Sequence, residues 1–105
     1  MTIDPKDLNA INHLFELEQS GETGFAAYYN GDVEGGTKQI KNILKESKST
    51  LRTIHDPKLR EEANNLFKEM NQALNEYIKE PSKESFKALE HRVDNYKGFL
   101  DDKKG

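Results

Sequence analysis

The sequence predicts an all-α protein, an antiparallel up-and-down bundle of four helices with a Gly-rich connection after the first helix. Two observations support this prediction. Apolar residues recur every three or four positions along most of the chain, which is the spacing of one face of a helix. Asp-Pro or Pro-Ser pairs precede three of the apolar segments, where they supply N-caps and helix starts. Short connections between the later segments then require neighbouring helices to run antiparallel.

Length and composition favour one domain covering residues 1–105. A chain of 105 residues lies within the usual size range of a single domain. Hydrophobic and charged residues each make up 33% of the chain, so the apolar side chains must concentrate on a few helix faces for a core to form. Because so hydrophilic a chain has little apolar surface to bury, a homodimer through the stripes of the third and fourth helices is a further hypothesis.

The first helix is predicted over residues 5–19. Asp4 provides a side-chain acceptor at the N-cap, and Pro5 has a φ angle already suited to the first helical position. The apolar residues that follow at helical spacing are Leu8, Ile11, Leu14 and Phe15. Ser20-Gly21 is a typical stop signal and predicts the end of this helix.

The connection predicted over residues 20–36 differs from the rest of the chain, because it holds five of the seven glycines. In the favoured interpretation a short helix covers residues 22–30, Gly31 ends it, and Asp32 caps the next helix. A β-hairpin around Asn30-Gly31 is one alternative, since this pair favours a type I′ turn. A simple hinge between helices is the other.

The stretch AYYNGDVEGG, residues 27–36, resembles the junction between the two helices of a tetratricopeptide repeat. In that family an aromatic pair precedes Gly-Asp and the second helix. The resemblance implies a tight helix–turn–helix here. It does not extend to the family's repeat of about 34 residues, so no peptide-binding role is carried over from it.

Three further helices are predicted, over residues 37–54, 57–79 and 83–100. The stripe of the second consists of Ile40, Ile43, Leu44, Leu51 and Ile54, with Ser47 as its weak point. The stripe of the third consists of Leu59, Ala63, Leu66, Met70, Ala73 and Tyr77, flanked by Phe67, Leu74 and Ile78. That of the fourth consists of Phe86, Leu89, Val93, Tyr96 and Leu100.

The connections between these helices carry their own signals. Asp56-Pro57 ends the second helix and starts the third, and His55 is expected to interact with the last carbonyl groups of the second helix. Ser82, after Glu80-Pro81, is expected to cap the fourth helix.

Charge and composition argue against several classes of function. The net charge is −3, with 19 acidic and 16 basic residues mixed along the chain, and no basic stripe stands out that would bind nucleic acid or an anionic membrane. No segment is apolar enough to span a membrane, and no secretory signal is visible. The expected location is the cytoplasm, and a mature secreted domain with an added initiator Met is the alternative.

No arrangement typical of catalysis is present, so we expect a protein that is not an enzyme and needs no cofactor. The alternative is a bundle that binds a metal or small ligand through His13 and Glu16 together with His91 and Asp94, which are spaced to share helix faces. This alternative requires a carboxylate inside an apolar stripe. The acidic residues near the stripes, Glu18 among them, are instead predicted to flank them.

The resulting functional hypothesis is a small helical interaction or regulatory protein that binds another protein. Its candidate partner-binding residues are Phe25, Tyr28, Tyr29 and Asp32, because exposed tyrosines offer a large contact area at a small entropy cost. The competing interpretation is that the aromatic residues close one end of the bundle.

Overall fold

The computed structural model describes residues 3–104 and confirms the all-α prediction. Its four helices are α1 (Pro5–Tyr29), α2 (Val33–Leu51), α3 (Pro57–Lys79) and α4 (Lys83–Lys103). They pack in ring order: α1 on α2, α2 on α3, α3 on α4 and α4 on α1. The result is an elongated four-helix bundle measuring 42 × 21 × 20 Å. No described helix is long and apolar enough to cross a membrane.

The helix starts follow the predicted caps. The side chain of Asp4 accepts a hydrogen bond from the backbone N–H of Lys6 at the start of α1, and Asp56 accepts one from Lys58 at the start of α3. Ser82 and Ser85 form a reciprocal capping box at the start of α4. Each cap satisfies an N–H group that has no partner within its own helix, which contributes about 0.5–2 kcal/mol.

The prediction that the first helix ends at residue 19 is wrong. The helix continues through Ser20-Gly21 to Tyr29, and α2 begins at Val33 rather than at residue 37. The connection is therefore a short turn, in which Gly31 has a φ of 104°. A β-hairpin is excluded in this region. The proposed roles of Gly31 as the helix end and of Asp32 as the next N-cap are confirmed, since Asp32 accepts a hydrogen bond from Gly35 N–H at 2.9 Å.

The glycines of this region allow α1 and α2 to approach at backbone level. A Cβ atom placed on Gly24 would lie 3.1 Å from the carbonyl oxygen of Gly36. A Cβ atom on Gly36 would overlap the carbonyl oxygen of Gly24 and lie 2.9 Å from the backbone nitrogen of Tyr28. A helical glycine costs about 0.5–1 kcal/mol relative to alanine. Helix packing over the length of α1 offsets this cost, which explains why Ser20-Gly21 does not end the helix.

A polar contact supports α1 at the predicted stop. The side-chain amide of Gln39 on α2 donates to the carbonyl oxygen of Ser20 at 2.9 Å and also to the hydroxyl of Thr23. These bonds tie α2 to α1 beside Gly21 and Gly24, where the missing side chains leave the α1 backbone accessible.

The apolar stripes face the interior of a single chain. Buried residues from all four helices form one core, and among them are Ile11, Leu14, Ile40, Met70, Leu89, Tyr96 and Leu100. The stripes of α3 and α4 are covered by their neighbours, so the hypothesis of a homodimer through those stripes has no support in the structure. Ser47 is also buried, and its hydroxyl donates to the carbonyl oxygen of Ile43 at 2.8 Å.

Asp7 joins the start of α1 to the α2–α3 turn. Its buried carboxylate accepts hydrogen bonds from the backbone N–H groups of His55 at 2.8 Å and Asp56 at 3.0 Å. The bond from His55 is the main cause that lowers the pKa of Asp7, while burial opposes the shift. The imidazole Nδ1 of His55 lies 3.3 Å from the same carboxylate. His55 therefore contacts α1, and its predicted interaction with the carbonyl groups ending α2 is wrong.

We expect Gly36→Ala to destabilise the bundle by about 1–3 kcal/mol, because the added methyl group forces α1 and α2 apart. Gly98→Ala is the matched control, since a Cβ at this exposed position of α4 meets nothing within 4 Å. The control should gain up to about 1 kcal/mol from its higher helix propensity. Urea unfolding followed by circular dichroism measures both effects. Equal responses would contradict the close approach of the two backbones.

Asp7→Asn should reduce stability by about 1–3 kcal/mol near neutral pH, because one backbone N–H loses its charged acceptor. A carboxyl group with a lowered folded-state pKa stabilises above its unfolded pKa, and this contribution is lost as the pH falls through the folded value. The difference between wild type and variant should therefore shrink below about pH 4. Denaturation at several pH values measures it. The control, Asp94→Asn on the exposed side of α4, should leave stability unchanged.

Candidate functional site

One end of the bundle is closed by five aromatic side chains, and we call it the aromatic end. It comprises Phe25, Tyr28 and Tyr29 of α1, Tyr77 of α3 and Phe86 of α4. The antiparallel arrangement brings these segments together, because the end of α1, the start of α2, the end of α3 and the start of α4 all lie at the same end of the bundle.

Phe86 is the centre of this cluster. The ring of Tyr28 stacks on it with a centroid separation of 3.5 Å and an interplanar angle of 5°. Phe25, Tyr29 and Tyr77 contact the same ring edge to face, at centroid distances of 5.6, 5.6 and 5.4 Å. Such pairs contribute about 0.5–1.5 kcal/mol each beyond the area they bury. The cluster therefore joins α1, α3 and α4 at this end.

The structure places the four predicted partner-binding residues in different environments. Phe25 is buried in the core, Tyr28 is half-buried under its aromatic neighbours, and Asp32 is committed to capping α2. Tyr29 differs from these three because it is 53% exposed. Of the aromatic residues singled out in the sequence, Tyr29 thus offers the largest contact surface to another molecule.

Two further apolar side chains are exposed at the same end. Val33, the first residue of α2, is 47% exposed, and Ile78, the second-to-last residue of α3, is 46% exposed. Together with Tyr29 they are the exposed large hydrophobic residues of the described part of the chain. The sequence contained a signal for Ile78, which follows the inward-facing Tyr77 and lies off the stripe of α3. Val33 carried no such signal, since it lay in the predicted connection.

Tyr29 is held in place from α4. Its hydroxyl donates a hydrogen bond to Glu90 Oε1 at 2.8 Å. Burial of the hydroxyl, assisted by this bond, raises the pKa of Tyr29 to about 12, so the phenol keeps its proton at neutral pH. The Tyr29 side chain is therefore held by Phe86 and Glu90, while about half of it stays open to solvent.

Acidic side chains predominate around the aromatic end. Residues 26–36 and 76–86 include five acidic residues but only two basic ones. The acidic residues are all exposed: Asp32, Glu34, Glu76, Glu80 and Glu84. The basic residues are Lys79 and Lys83. The exposed apolar side chains therefore have a predominantly negative surrounding.

The residues of the predicted metal site are not brought together. His13 and Glu16 on α1 and His91 and Asp94 on α4 are all exposed. Within residues 3–104, no three or more His, Asp or Glu side chains gather closely enough to hold a metal ion. Surface depressions along α3 and at the α3–α4 turn are lined mainly by polar side chains.

A second unusual feature lies inside the bundle, between α1 and α4. Glu18 is only 1% exposed, so the prediction that it flanks the apolar stripe is wrong. Its Oε1 atom and the hydroxyl of the buried Tyr96 each lack a hydrogen-bond partner. Burial raises the pKa of Glu18 to about 7, although the positive charge of Lys97 opposes the shift. Burial and the nearby carboxylate of Glu18 likewise raise the pKa of Tyr96.

The position of Glu18 had a signal in the sequence. It follows Ile11, Leu14 and Phe15 at intervals of seven, four and three residues, which places it on their helix face. The predicted end of the helix at residue 19 obscured this relationship, because the stripe was considered complete at Phe15.

Comparisons with models of known protein families, with characterised proteins and with solved structures find no match to this chain. The resemblance of residues 27–36 to a tetratricopeptide junction thus has no support beyond the local helix–turn–helix.

We expect Phe86→Ala to destabilise the protein by about 3–5 kcal/mol, because it removes the fully buried ring on which the aromatic end is built. Tyr29→Ala serves as the comparison within the same cluster. It should cost no more than about 1 kcal/mol, since half of this side chain is already in solvent. Chemical denaturation of the two variants tests the difference. Equal losses would show that Phe86 is not the centre of the cluster.

Proposed function

We propose that this protein is a non-enzymatic binding module that contacts another protein through the aromatic end. Tyr29, Val33 and Ile78 are the proposed contact residues. The observation that carries the proposal is the concentration of these three exposed side chains at one end of a bundle whose other large apolar residues are mostly buried. Singly exposed hydrophobic residues are common on protein surfaces, whereas a group of them is typical of an interaction site.

Tyr29 is well suited to be the main contact. Tyrosine is enriched among the residues that contribute most to protein–protein binding. The contact with Phe86 and the hydrogen bond to Glu90 already restrict its rotation, so binding would cost little side-chain entropy. This arrangement supports a surface that is preformed before the partner arrives.

The charges of the aromatic end indicate the chemistry of the partner. Its excess of acidic side chains favours a segment that combines apolar residues with lysine or arginine, because opposite charges accelerate association and disfavour acidic competitors. We infer that apolar side chains of the partner contact Tyr29 and Ile78, while its basic residues face the acidic surrounding.

Selection from a displayed library of random peptides tests this proposal. Enriched peptides should contain both apolar and basic residues. Their affinity should fall at least tenfold for Tyr29→Ser and for Ile78→Ser, which corresponds to about 1.4 kcal/mol of binding free energy. Both substitutions lie at exposed positions and should leave the helical circular dichroism unchanged.

The control for this experiment is Asn65→Ala, at an exposed position of α3 away from its ends. It should bind the selected peptides as the wild type does. The proposal is wrong if no peptide is enriched, or if the enriched peptides bind the Tyr29→Ser and Ile78→Ser variants with unchanged affinity.

A further inference from the structure

The interface between α1 and α4 contains a buried carboxyl group with an oxygen that has no hydrogen-bond partner. Glu18 of α1 and Tyr96 of α4 are both almost completely buried, and neither Glu18 Oε1 nor the Tyr96 hydroxyl is hydrogen-bonded. Burial without a partner strongly disfavours the ionised form of a carboxyl group. The closed interface is therefore compatible with a neutral Glu18 and unfavourable for a charged one.

The charged groups around Glu18 do not compensate for the cost of burying its ionised form. From α4, Lys97 lies near enough to favour ionisation of Glu18, but its ammonium group pairs with Glu22, one turn further along α1. The charged residues of α2 are all exposed, and none of them shifts the pKa of Glu18. α3 meets α1 at the aromatic end, where Tyr77 lies against Tyr28, and no charged residue of α3 shifts the pKa of Glu18. An ionised Glu18 in the closed bundle would thus depend on a single cation that another carboxylate already engages.

We propose that the α1–α4 interface is a pH-sensitive contact, which is closed while Glu18 is protonated and opens locally when Glu18 releases its proton to solvent. Opening gives the carboxylate access to water and removes the penalty of its burial. This inference concerns the interior of the bundle and does not depend on the proposed binding function.

Contacts elsewhere in the bundle restrict the opening to the stretch of the α1–α4 interface around Glu18. The close approach of Gly24 and Gly36 joins α1 to α2, and the short turn with its Ser82 capping box joins α3 to α4. Asp7 also keeps α1 attached to the α2–α3 turn. The ring of Phe86 likewise holds α4 to α1 at the aromatic end. Separation of α4 from α1 around the buried carboxyl group would leave all of these contacts intact, so the chain can open there without unfolding completely.

The direction of the pH effect follows from proton linkage. The pKa of Glu18 is about 7 in the closed protein and has a reference value of 4.5. A raised folded-state pKa stabilises the closed form fully below the reference value, and this stabilisation is lost as the pH rises through the folded value. The equilibrium for opening should therefore increase about tenfold between about pH 6 and about pH 8 and change little at higher pH.

Amide hydrogen exchange of the full chain, compared between wild type and Glu18→Gln at about pH 6 and about pH 8, tests the proposal. Comparing the two proteins at the same pH cancels the intrinsic pH dependence of exchange. In the wild type, the opening equilibrium of amides around residues 93–100 of α4 should increase about tenfold from about pH 6 to about pH 8, and in Glu18→Gln it should not. The opening equilibrium of amides around residues 63–70 of α3 should show no such difference between the two proteins. Tyr96→Phe should retain the pH dependence, because it keeps the Glu18 carboxyl group.

Two results would overturn the proposal. The first is an equal pH dependence in wild type and Glu18→Gln, or an equal change in α3 and α4, since either would show that Glu18 does not control a local opening. The second is a carboxyl titration of Glu18, followed by carbon NMR in the wild type, with its midpoint below about pH 5. The NMR measurement also tests the proposal if the Glu18→Gln variant does not fold.

Discussion

The contact between the backbones of Gly24 and Gly36 determines how the rest of the bundle is arranged. Because neither residue has a side chain, α1 and α2 approach more closely than larger residues would allow. This approach keeps α1 helical as far as Tyr29 and places Phe25 and Tyr28 beside Phe86 of α4. The aromatic end and the exposed position of Tyr29 thus depend on a contact made by the two residues with the least surface to bury.

Much of the fold could be predicted from local signals. The N-caps Asp4, Asp56 and Ser82 mark helix starts through their own backbone geometry, and the stripes follow the helical period. Ser20-Gly21 led to a wrong prediction of the end of the first helix. A glycine that ends a helix and a glycine that allows a neighbouring helix to pack closely look the same in sequence. Distinguishing them requires knowledge of what lies opposite, and Gly36 is twelve positions from Gly24 along the chain.

The candidate site was only partly predictable for the same reason. The sequence drew attention to Phe25, Tyr28 and Tyr29, but it could not separate the buried ring from the exposed one, since Phe86 comes from a distant helix. Glu18 shows a different difficulty. Acidic residues are seldom fully buried without a partner, so composition argues against the position that helical spacing assigns to it. Here the spacing predicts its burial correctly.

The even number of helices places the start of α1 and the end of α4 at the end of the bundle opposite the aromatic end. The first helix begins at Pro5 and the last ends at Lys103, while the turn after Tyr29 and the turn after Lys79 lie at the other extremity of a body 42 Å long. A polypeptide joined before α1 or after α4 would thus be attached at the end of the bundle opposite Tyr29, Val33 and Ile78. Attachment of the protein to a support through a residue at the start of α1 or the end of α4 leaves these three side chains facing solution.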